Sequence, residues 1–283
     1  MKKRSPIVAG YFYPDKPGEL RSVIEWSFKH GIGPGKPPSP SDIQATNSIG
    51  YVAPHAGYIY SGPVAAHVYF DMALNKKPDT IVILGTNHTG LGRPVSVYPE
   101  GVWETPLGDL VVDSEIGRLI VENSEIAEFD EYAHLEEHSI EVQLPFIVYI
   151  YGEDVKITPI VIGIHTPDIA RDLAKSIYEA SMSTGKRIIV IASSDFNHYE
   201  PHEETSRKDS MAIDRILKLD TDGLYNVILH NDISICGPGG IMTLMEYTKK
   251  LGGKAQLLKY ATSGDTSGDY SHVVGYAALK FYI

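Results

Sequence analysis

The apolar positions of this chain fall into short blocks. From residue 49 onward, runs dominated by Ile and Val end in Gly-rich or polar turns, and several lead into longer stretches with helical spacing. Ile49–Ala53, Thr80–Leu84, Ile157–Ile162 and Arg187–Ala192 are such runs. They show little polar alternation, which predicts strands covered on both faces. Helices are predicted at Gly18–Lys29, near Pro63–Ala73, at Pro167–Met182 and at Glu203–Leu217. Strands interleaved with helices predict an α/β fold: a three-layer αβα arrangement around a mixed, mostly parallel sheet. Two late runs, Ala255–Ala261 and His272–Phe281, read as closing strands at an edge. Earlier in the chain, Gly31–Pro40 is so rich in Gly and Pro that neither periodicity survives, and it predicts a surface loop. No internal repeat is present and no second domain is indicated, so residues 1–283 read as one domain.

Composition narrows the functional classes. The chain is 43% hydrophobic and 22% charged, which is ordinary for a globular protein and excludes fibrous or largely disordered classes. Twenty-five Lys and Arg against thirty-six Asp and Glu give a net charge of −11, which argues against a nucleic-acid face. No apolar run is long enough to span a bilayer, and the basic start is followed by a segment broken at Gly10 and Pro14, unlike a signal peptide. A single cysteine, Cys236, cannot form an internal disulfide. The expectation is a reduced, cytoplasmic protein with neither nucleic acid nor membrane as partner.

In parallel sheets ligands gather beyond the strand C-termini. Three predicted strands run directly into turns bearing His55, His88 and His198. Small neighbours around His55 and His88 leave room for a ligand or metal; the bland alternative is a polar surface loop. His198 closes Ser193-Ser-Asp-Phe-Asn-His, where the Asp195 carboxylate could orient the imidazole or could simply cap the next helix. Cys236 precedes Gly237-Pro-Gly-Gly and a helix expected near Gly239, a place that lowers a thiol pKa; the alternative is a small buried hydrophobe. His134-Leu-Glu-Glu-His138 matches H-x-x-E-H. On a helix, His134 and His138 would share a face and could hold zinc, with Glu137 as base; a solvated helix start reads equally well. An exposed His134 would contribute within about ±0.5 kcal/mol to stability. His30, His67, His165, His202, His230 and His272 are read as structural, and Thr262–Asp269 as a flexible turn without EF-hand spacing. The chain has no P-loop, no G-x-G-x-x-G and no nucleophile elbow.

Several of these segments together resemble one family. Pro6–Pro14, Ala53-Pro-His-Ala-Gly-Tyr-Ile-Tyr-Ser-Gly62, Trp103-Glu-Thr-Pro-Leu-Gly108, Glu137-His-Ser-Ile-Glu141, Gln143-Leu-Pro-Phe146, Ser193–His198 and Ile235-Cys-Gly-Pro238 are similar, in order, to the Memo family. Its animal member mediates ErbB-driven cell motility, and its prokaryotic members are grouped with an Ammecr–Memo–radical-SAM system. The resemblance implies a fold like LigB-type class III extradiol dioxygenases. It implies metal ligands at His55, His88 and Cys236, with His198 at the dioxygenase acid/base position and Asp195 beside it. It places Glu137-His138, but not His134, inside a family motif. Iron is the cofactor implied first, with copper or zinc as alternatives, because a Cys in place of the dioxygenase carboxylate shifts metal preference. Three functions are carried forward: a metal-dependent oxidoreductase acting on an unidentified substrate, a non-catalytic module accepting a peptide or small molecule in the same pocket, and a zinc hydrolase through His134, Glu137 and His138.

Overall fold

A computed structural model of the chain describes residues 2–39 and 47–283. Pro40, the last residue of the expected loop, lies outside that range. The strands are β1 Lys3–Arg4, β2 Ser48–Ala53, β3 Thr80–Thr86, β4 Val95–Val97, β5 Val102–Thr105, β6 Gly108–Val111, β7 Ala127–Phe129, β8 Lys156–Ile162, β9 Ile188–Ser193, β10 His198–Glu200, β11 Lys254–Thr262 and β12 Val273–Tyr282. The helices are α1 Pro17–Lys29, α2 Tyr58–Leu74, α3 Ser114–Asn123, α4 Leu144–Tyr151, α5 Pro167–Thr184, α6 His202–Leu217, α7 Thr221–Asn231, α8 Pro238–Lys250 and a single turn, α9 Gly264–Ser267.

The main sheet runs β10-β12-β2-β9-β3-β8-β4-β7, with β11 on the outer side of β12. Its centre, β2-β9-β3-β8, is parallel throughout. Antiparallel pairs flank it on both sides, β12 against β2 and β4 against β8. Side chains alternate between two cores, as the two-residue period of a strand requires. On β3, Val82 and Leu84 enter one core and Ile81 and Ile83 the other; on β9, Val190 and Ala192 oppose Ile189 and Ile191. Helices α3, α5 and α8 supply the first core, and α1, α2 and α4 the second. The result is the three-layer αβα fold with a mixed central sheet.

Several elements differ from their expected form. Helix α2 begins at Tyr58, well before Pro63, which sits inside it; an interior proline reads from sequence as a start signal. Helix α4, Leu-Pro-Phe-Ile-Val-Tyr-Ile-Tyr, is apolar on all sides and so shows no amphipathic period. The strands β4 to β7 are only three or four residues long and gave no signal. Of the closing strands, β11 lies at the edge, whereas β12 is paired on both sides. Residues 262–269 do not form a loose turn: α9 occupies the middle, and the Thr262 amide donates to Asp265 Oδ2 at 2.8 Å.

A second, three-stranded sheet, β1-β5-β6, carries the N-terminus to the 134–141 segment. Arg4 is buried there. Its Nη1 donates to Glu141 Oε2 at 2.6 Å, its Nη2 to the Glu137 carbonyl at 2.8 Å and its Nε to the His134 carbonyl at 3.1 Å, and it lies 4.1 Å from the Trp103 ring centroid. Glu141 also accepts from the amides of Ile7 and Val8 and from the Tyr13 hydroxyl. Breaking a buried, fully hydrogen-bonded pair strands a charge, at a cost of about 3–5 kcal/mol. Arg4→Met and Glu141→Gln should each lose stability of that order in denaturant unfolding. A loss below about 1 kcal/mol for both, the scale of a surface pair, would show that the pair is not holding this region.

Candidate functional site

Because β2, β9 and β3 are parallel, their C-termini reach the same rim. His55 follows β2 by two residues, His88 follows β3 by two, and Asp195 follows β9 by two. Cys236 arrives from the turn before α8. That turn presses on the sheet: a Cβ on Gly237 would meet the Ser193 carbonyl at 2.7 Å, and one on Gly239 would meet His165 Nδ1 at 2.6 Å. One potential ligand atom each from His55, His88 and Cys236 lies within 4.8 Å of the others, and His55 Nε2 is 3.3 Å from Cys236 Sγ. The expected convergence of these three residues is therefore a feature of the fold.

The surroundings fix the protons on both imidazoles. Ser193 Oγ donates to the Ser139 carbonyl at 2.6 Å and accepts from Gln143 Nε2 at 2.8 Å. Its one proton is thus committed, so His55 Nδ1, 3.0 Å away, must donate to it. The lone pair of His55 remains on Nε2, the nitrogen beside the sulfur. His88 Nδ1 donates to Glu137 Oε1 at 2.8 Å, and the His88 amide donates to Oε2 at 2.7 Å. Glu137 Oε1 accepts again from the Ser139 amide at 2.8 Å. Burial opposes the Glu137 charge, but the His88 side chain and these amides together hold its carboxyl down at about 2. His88 is left with a free Nε2. Burial, with the neighbouring His88, drops the His55 imidazole to about 3, so it is neutral at ordinary pH.

Cys236 is half-buried, and its Sγ accepts from the Asp195 amide at 3.2 Å. The expected lowering of its pKa is not found. Burial, followed by the Asp195 charge, pushes the thiol upward and outweighs its hydrogen bonds. A second bridge holds its loop. The Gly239 amide donates to His165 Nδ1 at 3.2 Å, His165 Nε2 donates to Thr86 Oγ1 at 3.1 Å, and Thr86 donates to the Cys236 carbonyl at 2.7 Å. His165, read from sequence as structural, thus ties the end of β3 to the cysteine loop.

Other expectations need correction. Residues 134–138 do not form one helix: a short 3-10 turn ends at His134, and His138 lies in the loop beyond it. His134 is fully buried, with Nε2 3.0 Å from the Ser96 carbonyl and its ring against Tyr98 and Trp103. It does not share a site with His138, and it is not the exposed helix-start residue expected. His138 instead faces the rim site, stacked on His88 at 4.5 Å between ring centroids and edge-on to His55 at 5.4 Å. Glu137 has both oxygens committed to His88 and Ser139, which removes it as a free base. Asp195 does not orient His198. It accepts from the His55 amide at 2.8 Å, while His198 Nδ1 lies 2.7 Å from the Ser234 carbonyl.

The sequence of the whole chain can be placed among known proteins. Residues 4–280 match the family described as "Memo-like protein". The chain belongs to this family. A "MEMO1 family protein" of Sulfolobus acidocaldarius is 54% identical over 281 residues, 98% of this chain and 99% of that one. One from Ignicoccus hospitalis is 52% identical over 282 residues, 99% of each chain. Among solved structures, uncharacterized protein JW3007 of Escherichia coli K12 has the same fold, with TM-score 0.52 and 12% identity, covering 82% of this chain and 99% of that one. No helix among the described residues is long and apolar enough to cross a membrane.

In this Memo-like chain, the supporting residues were harder to read than the rim residues. Ser139, Gln143 and the orienting role of Glu137 went unassigned, although all three lie within or beside the two family segments spanning 137–146. Their tasks depend on partners about fifty residues or more away in sequence, so no local pattern reports them.

The buried imidazoles carry a cost in acid. Desolvation is the leading cause that lowers His55 and His134 to about 3 and His138 and His165 to about 4. The unfolded chain takes up these protons near pH 6.5, whereas the folded chain refuses them until far lower pH, so stability falls as pH drops from about 6.5 to about 4. Burial raises Asp209 to about 7 and moves Asp195 the same way, which opposes the trend. The lowered imidazoles outnumber the raised carboxyls, so metal-free protein is expected to lose stability on acidification through that window. Denaturant unfolding at a series of pH values measures it; constant or rising stability on acidification would contradict it.

Proposed function

We propose that the rim pocket binds one metal ion through His55, His88 and Cys236 and serves a metal-dependent oxidoreductase reaction of the extradiol-dioxygenase type. The observation that carries this reading is the proton arrangement. Both imidazoles are committed at Nδ1, one to a serine hydroxyl and one to a carboxylate, which leaves both Nε2 lone pairs at the site. Ligand histidines are commonly oriented in this way. The donor set fits a borderline-soft transition ion: iron first, with copper or zinc as alternatives. Such an ion, when bound, would supply Lewis-acid and redox chemistry.

The protein's own part is to orient and to move a proton. Glu137 and Ser193 hold the two rings, and Asp195 anchors the His55 backbone. His198 donates from Nδ1 to a backbone carbonyl, so its Nε2 is the nitrogen that can take a proton from a substrate hydroxyl. A reduced, cytoplasmic setting would keep Cys236 available as a ligand. The second reading, a binding module for a peptide or small molecule without turnover, draws on exposed aromatic side chains. Tyr199 follows His198 directly and is 73% exposed; Tyr60, shortly after His55 in sequence, is 43% exposed.

Elemental analysis of protein purified without chelator or affinity-tag metal is the first test. His55→Ala, His88→Ala and Cys236→Ser should lose the metal, and His134→Ala should keep it. Loss in His134→Ala with retention in His55→Ala would transfer the site to the zinc-hydrolase reading. In oxygen-uptake assays with candidate substrates, His198→Ala should retain metal and lose about 10²–10⁴-fold in turnover. Tight ligand binding with no oxygen consumption would favour the binding module.

Metal affinity should also depend on pH. The Cys236 thiol is held protonated by burial, whereas His55 is already neutral, so binding displaces about one proton from the sulfur. The logarithm of the affinity should rise by about one per pH unit between about pH 7.5 and 9. Titrations in buffers of different ionisation enthalpy would count the proton. A pH-independent affinity would mean that the sulfur is not a ligand.

A further inference from the structure

Asn197, one residue before His198, is a buried side chain at the centre of a hydrogen-bond cluster that reaches the exposed Ser234 and that the proposed chemistry does not otherwise use. It is 1% exposed, and both ends of its amide are occupied. Oδ1 accepts from the Ser234 amide at 3.0 Å and from the Ser234 hydroxyl at 3.1 Å. Nδ2 donates to Glu200 Oε2. Its backbone is held as well: the Asn197 amide donates to Asp209 Oδ1 at 2.9 Å, and its carbonyl accepts from the Gly275 amide at 2.9 Å.

Ser234 passes this order to His198. Ser234 Oγ accepts from the His198 amide at 2.8 Å, and the Ser234 carbonyl is 2.7 Å from His198 Nδ1. A carbonyl only accepts, so Nδ1 carries the proton. No hydrogen-bond partner is present for Nε2 among the described residues. The segment cannot relax freely, because Tyr199, the next residue, has φ of +60°, in the left-handed region disfavoured for a side chain of this size.

We infer that Asn197 is a positioning residue: by gripping Ser234 through one amide oxygen, it holds the carbonyl that keeps the proton of His198 on Nδ1 and leaves Nε2 as the nitrogen with the free lone pair. The inference deepens the proton-acceptor role proposed for His198 and rests on that reading for its functional meaning. A histidine with the opposite tautomer would offer a donor, not an acceptor, where a substrate proton has to go. The competing view is that Asn197 merely fills and satisfies the interior. That view predicts a stability loss but no specific change at His198.

The test is long-range proton–nitrogen NMR of the full chain with nitrogen-labelled histidine, which reads tautomers without substrate or metal. In the parent protein His198 should be the Nδ1–H form. Asn197→Leu should shift the His198 tautomer ratio by about tenfold or more toward Nε2–H, the weight of one to two ordinary hydrogen bonds. His55, whose partner is Ser193, should stay Nδ1–H and serve as the internal control for folding. If Asn197→Leu does not fold, Asn197→Ser, too short to reach Ser234, gives the same reading. An unchanged His198 in a folded Leu or Ser variant would overturn the inference. Failure of the protein to bind metal or turn over would count against the proposed reaction alone, since the tautomer is read without either.

Discussion

Parallel pairing of three neighbouring strands is the constraint on which the site depends. In an antiparallel arrangement, successive strand ends point to opposite edges of a sheet, and His55, His88 and Asp195 would be distributed between them. With β2, β9 and β3 running the same way, each contributes its first turn to one rim. The pairing itself follows from composition. Strands rich in Ile and Val and buried on both faces need helices above and below, and the crossover connections that supply those helices return the chain in the same direction.

Placing polar groups at that rim is costly, and the fold meets the cost with complete hydrogen bonding. Glu137 is a nearly buried carboxylate that accepts from one imidazole and two amides, and the neighbouring Glu141 accepts from Arg4, Tyr13 and two amides. Glu137 lies in the irregular stretch after the first 3-10 turn, and Glu141 opens a second 3-10 turn that leads into α4. Arg4 holds this stretch by binding the carbonyls of His134 and Glu137 as well as the Glu141 carboxylate. The N-terminal strand therefore stabilises the orientation of His88 from a distance, through backbone geometry.

The rim site works against folding in one respect. Three imidazoles, His55, His88 and His138, lie with ring centroids 4.5–5.4 Å apart, beside a thiol and a buried aspartate. Burial holds His55 and His138 in the neutral form. Departures from the ordinary economy of a core concentrate at functional sites, and the remainder of both cores is conventional aliphatic and aromatic packing.

The sequence alone determined the α/β class, the buried character of the central strands and the placement of His55, His88 and Cys236 at their ends or beside a helix start. These are local consequences of apolar runs, Gly-rich turns and segments shared with a family. Tertiary structure decided what each polar residue does there. His134 and His138 stand four apart in a motif that suits one helix face, yet the chain leaves helical geometry between them. One ring is sealed against Trp103 and the other is turned to the rim. Asp195 is three residues from His198, yet its carboxylate serves the backbone of His55, and Ser234 takes the imidazole. The direction of the Cys236 pKa shift likewise came from burial and from Asp195, not from the helix it precedes. Each outcome depends on partners brought together from distant parts of the chain. A hydrogen bond or a desolvated charge is set by what lies within a few ångströms in space, which the order of residues along the chain does not specify.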